Sequence, residues 1–457
     1  MASQKEKPHQ HVAGTCMGMC PNAEVRLRQR EKMIHALEMA VDFNGRRLNY
    51  PQPRAMVKMF SRPAAGQEVK ASDVRPVPVL LKTVRYLLAN VCCVKDLPWA
   101  LVYQFVYDRL QAIRQDLCVQ GVRNSMALQI YQAAARFYVY AHYRTCEHDL
   151  KDFDPYLNLK QLGETLSTVM SLYQELDSGN TIAESDRANL EAYIYDDQYE
   201  ESDDDSDVDS RGDEGAETKI VQDTKASEKD ASAKTESSGE NDDGKTDSQT
   251  SEDGVAESDN AEENERVSPS RVKDTRCSSN SGSVISCSSS REEAAALYLL
   301  VNLGNEEAIM SVLSLPQNVK GTKLVGLALR MNMAWLTHNY YRVLKLSTLL
   351  PPLFQCAFHP HMTSIQRKSL GIINQSHSCK GQSYCLEELS EALLYDSADG
   401  LAEACAHYGL AVKDGGIVFT KGTISWDAPL MKASHSKRIE GHLASVPLPE
   451  LLLPTLT

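Results

Sequence analysis

Residues 196–290 of this 457-residue chain cannot enter any core. From YDDQYEESDDDSDVDSRGDEG to CSSNSGSVISCSSS the run is acidic, Ser-rich and nearly free of large apolar side chains. Such a segment cannot bury enough surface to offset its ordering entropy, and disorder is expected over it. The folded protein must therefore be built from what lies on either side, NLEAYIY (189–195) before it and AALYLLVNLGNEEAIMSVLSLP (295–316) after it. Closure over so long an excursion is permitted, because lengthening an exposed loop adds only a logarithmic entropy cost. Ser202 and Ser206 among the acids, and Ser268 before Pro269, are candidate phosphorylation positions.

Charge divides the same way. The net charge is -14, yet residues 196–265 hold 27 acids against 6 cations, so the remainder is basic. Residues 1–146 carry 21 Lys and Arg against 10 Asp and Glu, an excess of the kind that attracts polyanions or simply solvates a surface. Twelve Cys without repeated CxxC pairs predict reduced thiols, and MASQKEKPHQH has no apolar leader core. Val77 to Val94, the most apolar window, is broken by Lys82 and Arg85, so a soluble protein with no membrane span is expected.

Helical periodicity dominates outside the acidic run. In VYQFVYDRLQAIRQDLCVQ (102–120), Phe105, Val106, Leu110, Ile113 and Leu117 recur at three- and four-residue steps and define one buried face. Asp108, Arg114 and Asp116 fall on the opposite, solvated face, and Arg109 borders the apolar stripe. Helices are predicted over 97–119, 123–145, 158–177 and 183–195, with turns at Gly121, Asp152 to Pro155 and Gly179, and Asn158 with Gln161 as a capping pair. Further helices are expected over 305–314, 320–348 and 361–375. Pro76 and Pro78 delay the helix that follows them. Short helices joined by short turns imply stacked antiparallel pairs, an α-solenoid. YCLEELSEALLY (384–395), ADGLAEACAHYG (398–409) and LAVKDGGIVFTKG then read as helix, helix and a hairpin around Asp414-Gly415-Gly416, a winged-helix pattern. The tail after Trp426 reads as a docking strand or as disorder. The expected fold class is all-α: an α-solenoid of helix pairs, PCI-like, capped by a C-terminal winged helix and interrupted by a disordered acidic insert. Its parts are a tail 1–13, helical stretches 14–195 and 291–380 around the insert 196–290, a winged helix 381–425 and a tail 426–457.

Four motifs in order carry a resemblance. In GTCMGMCPNAEVRLRQREK, Pro21 fits a first helical position and Glu24 suits the helix dipole. Cys16 and Cys20 alone make only a weak metal signature, so no metal is expected. A Pro-rich loop then places Lys58, Phe60, Arg62 and Arg75 on restricted backbone, a mixture that grips a phosphate or base or merely packs and solvates. DRLQAIRQDLCVQ and the pair EAYIY…LYLLVNLGN complete the set, with Asn339, Tyr340, Tyr341 and Arg342 further on. Together these stretches resemble the Sac/GANP family, named for germinal-centre-associated nuclear protein. The resemblance covers about 14–195 and 292–425 and implies that the acidic segment is spliced into a helical repeat. It implies a scaffold that pairs with a PCI-type subunit and a small acidic subunit, forming a basic platform for single-stranded RNA in nuclear mRNA export. Lys58, Arg62, Arg75 and Lys82 are the candidate RNA contacts, and Cys16, Cys20, Pro21, Glu24, Asp108, Arg109, Arg114 and Asp116 the structural motif. Short members of the family imply the rival reading, an assembly factor at centrosome and spindle with centrosomal partners.

No GxSxG, Walker, HExxH or GxGxxG arrangement is present, and Cys146 with His148, near His142, is the closest approach to a nucleophile and base. A protein without catalysis or cofactor is expected.

Overall fold

The computed structural model describes residues 11–62, 69–177, 290–379, 382–413 and 415–454. The expected helix 183–195, the acidic insert up to residue 289 and Asp414 of the hairpin lie outside these residues. The described residues are mostly helical, with strands only in two small sheets.

The first stretch runs α1 (Asn22–Arg30), a hairpin of β1 (Met39–Val41) and β2 (Arg47–Pro51), then α2 (Val77–Ala89), α3 (Trp99–Gln120), α4 (Ser125–Arg144) and α5 (Pro155–Asp177). Pro78 sits inside the first turn of α2, not ahead of it, because the N–H it lacks would have no intrahelical partner there. Gly121 ends α3 in the left-handed conformation, with the Val122 N–H returned to the Leu117 carbonyl at 3.2 Å. The cap of α5 is Asp154, whose Oδ1 accepts from the Leu157 N–H at 3.1 Å. Asn158 is instead buried inside the helix, donating to the Tyr138 carbonyl at 2.9 Å.

The second stretch runs α6 (Ser290–Val301), α7 (Glu306–Leu313), α8 (Gln317–Lys320), α9 (Lys323–Leu336), α10 (Tyr340–Ser347), α11 (Pro352–Phe358) and α12 (Met362–Ser376). The single helix expected over 320–348 is two, broken where His338 takes a left-handed backbone and Asn339 caps α10 through the Arg342 N–H at 3.0 Å. Helix α11 had no counterpart in the periodicity.

After β3 (Tyr384–Cys385) come α13 (Leu386–Ala392), α14 (Ala398–His407), β4 (Ala411–Lys413) and β5 (Gly416–Val418), the strands pairing antiparallel in the order β3-β5-β4. The tail is neither strand nor disorder over its described part. It forms α15 (Lys437–Leu443) and α16 (Leu448–Leu452).

Helix α4 is the pillar. It is apolar nearly all round and therefore buried on every side. It packs on α2, α3 and α5 from the first stretch and on α11 and α16 from the second. Helix α6 packs on α5, α9 and α11, so both sides of the acidic segment share one core. At the seam Arg291 pairs with Asp177 at 2.6 Å. Residues 71–93, around α2, are apolar and long enough to cross a membrane, but more than half of that window is buried against the protein. It is a core helix.

Candidate functional site

Residues 56–60 form no helix and pair with no strand, yet the N–H groups of 57–60 all find acceptors. Val57, Met59 and Phe60 donate to Glu38 Oε1 (3.2 Å), Glu24 Oε1 (2.8 Å) and Asp108 Oδ2 (3.2 Å), and Lys58 donates to the Met19 carbonyl (3.0 Å). Three carboxylates from three distant segments thus replace a neighbouring strand. Their charges are answered in place. Glu38, 0% exposed, receives Arg28 and also Arg109 Nη2 at 3.3 Å, while Arg109 Nη1 meets Asp108 at 2.5 Å and its guanidinium lies 4.3 Å from the Phe105 ring centre. Asp116, 1% exposed, holds Arg75 Nε at 2.7 Å and Lys58 Nζ at 2.6 Å. Four cations and four acids neutralise one another in this layer, the condition under which buried charge is tolerated.

The glycine and cysteines of the entry motif serve the same layer. A Cβ on Gly14 would stand 2.6 Å from the Val74 carbonyl oxygen, so only glycine lets the chain lie against the segment before Arg75. Cys16 and Cys20 are buried, and burial raises both thiols, that of Cys20 to about 12. They behave as small apolar groups. Pro21 precedes α1 as its cap, one place earlier than the sequence suggested.

Asp116 is not on a solvated face: it is the acceptor at the centre of its cluster. Arg75, 0% exposed, presents no cation to a polyanion, and Lys58 is mostly buried with its charge on Asp116. Arg62 and Lys82 are exposed. Arg114 reaches α5, bonding Gln161 and pairing with Glu164 at 3.3 Å. The network therefore joins Glu24, Asp108, Arg109 and Asp116 to two of the expected RNA contacts, and adds Arg28, from the basic end of the entry motif, and Glu38, which sequence reasoning missed. Glu38 spaced three after His35 was the available signal, since the two form a reciprocal capping box.

A second buried charge locks the C-terminal segment. Arg136 on α4 grips Glu293 on α6 and donates to the Leu453 carbonyl at 2.7 Å and the Leu451 carbonyl at 3.3 Å. The strap between β5 and α16 adds His359 Nε2 to the Ser434 carbonyl (2.9 Å) and the Ser436 N–H to the Tyr143 hydroxyl (3.2 Å). Beside it, burial and Glu147 push the Cys146 thiol up to about 12, and burial pulls His142 down to about 4. A protonated thiol is the reverse of an activated nucleophile.

These features define a helical protein whose densest constellation of polar residues, among those described, joins distant segments of the fold. The chain belongs to the SAC3/GANP family, whose model matches residues 19–205 and 273–414. It is 34% identical over 165 residues to SAC3 family protein 1 of Schizosaccharomyces pombe, covering 36% of this chain and 15% of that protein. SAC3 family protein B of Arabidopsis thaliana is 29% identical over 169 residues, covering 36% of this chain and 10% of that protein. Protein xmas of Drosophila melanogaster is 26% identical over 172 residues, covering 36% and 8%. The match thus spans a small part of each of these longer relatives.

Proposed function

We propose that this protein is a non-catalytic scaffold subunit of the nuclear mRNA-export type, pairing with a PCI-type subunit and a small acidic subunit and offering a basic surface to RNA. What carries the reading is the family match across both helical stretches, in a chain where most of the signature residues meet in a neutralised, largely buried layer. On this reading the stacked helices from α3 to α12 are a PCI-like solenoid. The unit of α13, α14 and the three-stranded sheet is then its winged-helix cap. Helix α14, which would enter a groove if the cap read DNA, contains no Lys or Arg, so the cap serves assembly. Affinity purification of the tagged chain followed by mass spectrometry tests this. Export-complex subunits with nuclear enrichment are the expected result. Recovery of centrosomal and spindle proteins in their place would transfer the protein to the rival reading.

A further inference from the structure

Between Glu307 and Glu387 the chain contains no Asp or Glu, while it carries eight Lys and Arg. In a chain with 62 acids, that is a long stretch from which negative charge is missing. Some of the cations are occupied. Lys368 lies 4.1 Å from the Trp335 ring centre, Arg367 donates to the Ala428 carbonyl at 2.9 Å, and Lys320 to the Leu313 carbonyl at 2.9 Å. Four others are exposed: Lys323 and Arg330 on α9, and Arg342 and Lys345 on α10. None of the four makes an ion pair with an acid among the described residues. The acids that border this region, Glu306 and Glu307 on α7 and Glu387, Glu388 and Glu391 on α13, are themselves exposed and pair with none of them.

The placement is regular. Lys323 and Arg330 are seven residues apart and share one face of α9, and Arg342 and Lys345 are one turn apart on α10. The two helices are in contact. The same two helices expose large side chains: Met333 is 53% exposed on α9 and Tyr341 54% exposed on α10. Tyr340 next to it is buried, with its hydroxyl 2.9 Å from His338 Nδ1, so α10 is anchored through one tyrosine while the other faces water.

We infer that the outer face of α9 and α10 binds single-stranded RNA, with Lys323, Arg330, Arg342 and Lys345 on phosphates and Tyr341 stacking on a base. This rests on the scaffold reading above and gives its basic surface a location, away from the occupied cations Lys58 and Arg75. Cations alone would suit any polyanion, an acidic polypeptide included. An exposed ring one helical turn from Lys345 and next in the chain to Arg342 favours an unstacked base, because every base offers a π-face and stacking tolerates any sequence.

The test is fluorescence anisotropy of the full chain with a labelled oligouridylate of about 15 nucleotides, titrated with salt from about 50 mM. The variants are the triple change Arg330→Gln, Arg342→Gln, Lys345→Gln, the single change Tyr341→Ala, and Lys151→Gln as an exposed control in the turn before α5. The expected results are a Kd raised more than about tenfold and a salt slope shallower by about 2 for the triple variant, since each lost phosphate contact on a single strand removes about 0.7. Tyr341→Ala should weaken binding about fivefold or more with the slope retained, as loss of a stacked base requires. All variants should melt with wild type. Wild-type binding that the triple variant leaves unchanged overturns this face while leaving the scaffold reading in place. No wild-type binding at low salt overturns the RNA platform itself. Equal binding of a duplex with Tyr341→Ala silent, or tighter binding of a polyglutamate than of the oligonucleotide, overturns the assignment to single strands.

Discussion

Replacing Glu38 by Ala removes one carboxylate and strands four donors. Arg28 loses its main partner and keeps Glu24 at 3.7 Å and the Met33 and Val57 carbonyls at 3.2 and 3.3 Å, and Arg109 keeps Asp108. The Val57 and His35 N–H groups lose their acceptor altogether. Breaking a buried pair by removing one partner costs about 3–5 kcal/mol because the other charge stays desolvated. The surviving partners place this case near the low end, about 3 kcal/mol. At roughly 2 °C per kcal/mol for a large unit, the melting temperature should fall by about 6 °C or more. Glu38→Gln keeps the shape and one acceptor and should cost less. A double-mutant cycle of Glu38→Gln with Arg109→Gln should return a coupling of about 1 kcal/mol or more, as expected for residues in one network. Differential scanning calorimetry and urea titration read both. A Glu38→Ala protein that melts with wild type, or one equally stable that loses RNA or a partner, would refute the architectural role.

Three further outcomes follow from the same geometry. Acidification should destabilise the protein between about pH 6.5 and 4: His142 is held neutral with its pKa lowered to about 4, and His359 and His361 are lowered too, so the unfolded chain takes up protons first. Each such group contributes a slope approaching 1.4 kcal/mol per pH unit, and His142→Gln should flatten the stability curve measured by urea titration across that window. Arg136→Met should leave Glu293 unpaired and free α16, so limited proteolysis would cut between Trp426 and Leu448 well before the core. Replacing residues 200–285 by a short Gly-Ser linker should leave one cooperative melt, since Asp177 and Arg291 already meet, and should raise oligouridylate affinity by removing a tethered polyanion.

Most helices were legible because their apolar spacing matches the helical period, as in α3, α4 and α7. What escaped was set by contacts far apart in the chain. Asp116 reads as solvated from its own helix and is buried only because Lys58 and Arg75, 58 and 41 residues earlier, fold over it. Glu38 is likewise buried by Arg109, 71 residues away. The break before α10 carries no Gly or Pro and depends on His338 taking a left-handed backbone, which sequence rarely signals. The primacy of α4 was hidden too, since the helices that cover it, α2, α5, α11 and α16, come from both sides of the acidic segment. Of the buried layer, Glu24, Asp108, Arg109 and Asp116 stood out in the sequence, while their meeting around residues 56–60 did not. Reading α9 and α10 for the absence of acids, and not only for cations, would have revealed the basic face.

The measurement closest to the central claim is light scattering on a size-exclusion column after co-expression of the full chain with a PCI-type subunit and a small acidic subunit. One peak at the summed mass of the three chains is expected, retained in the Arg330, Arg342, Lys345 variant and dissociating at a lower temperature in Glu38→Ala. A chain that elutes at its own mass, folded and apart from both candidates, would contradict it.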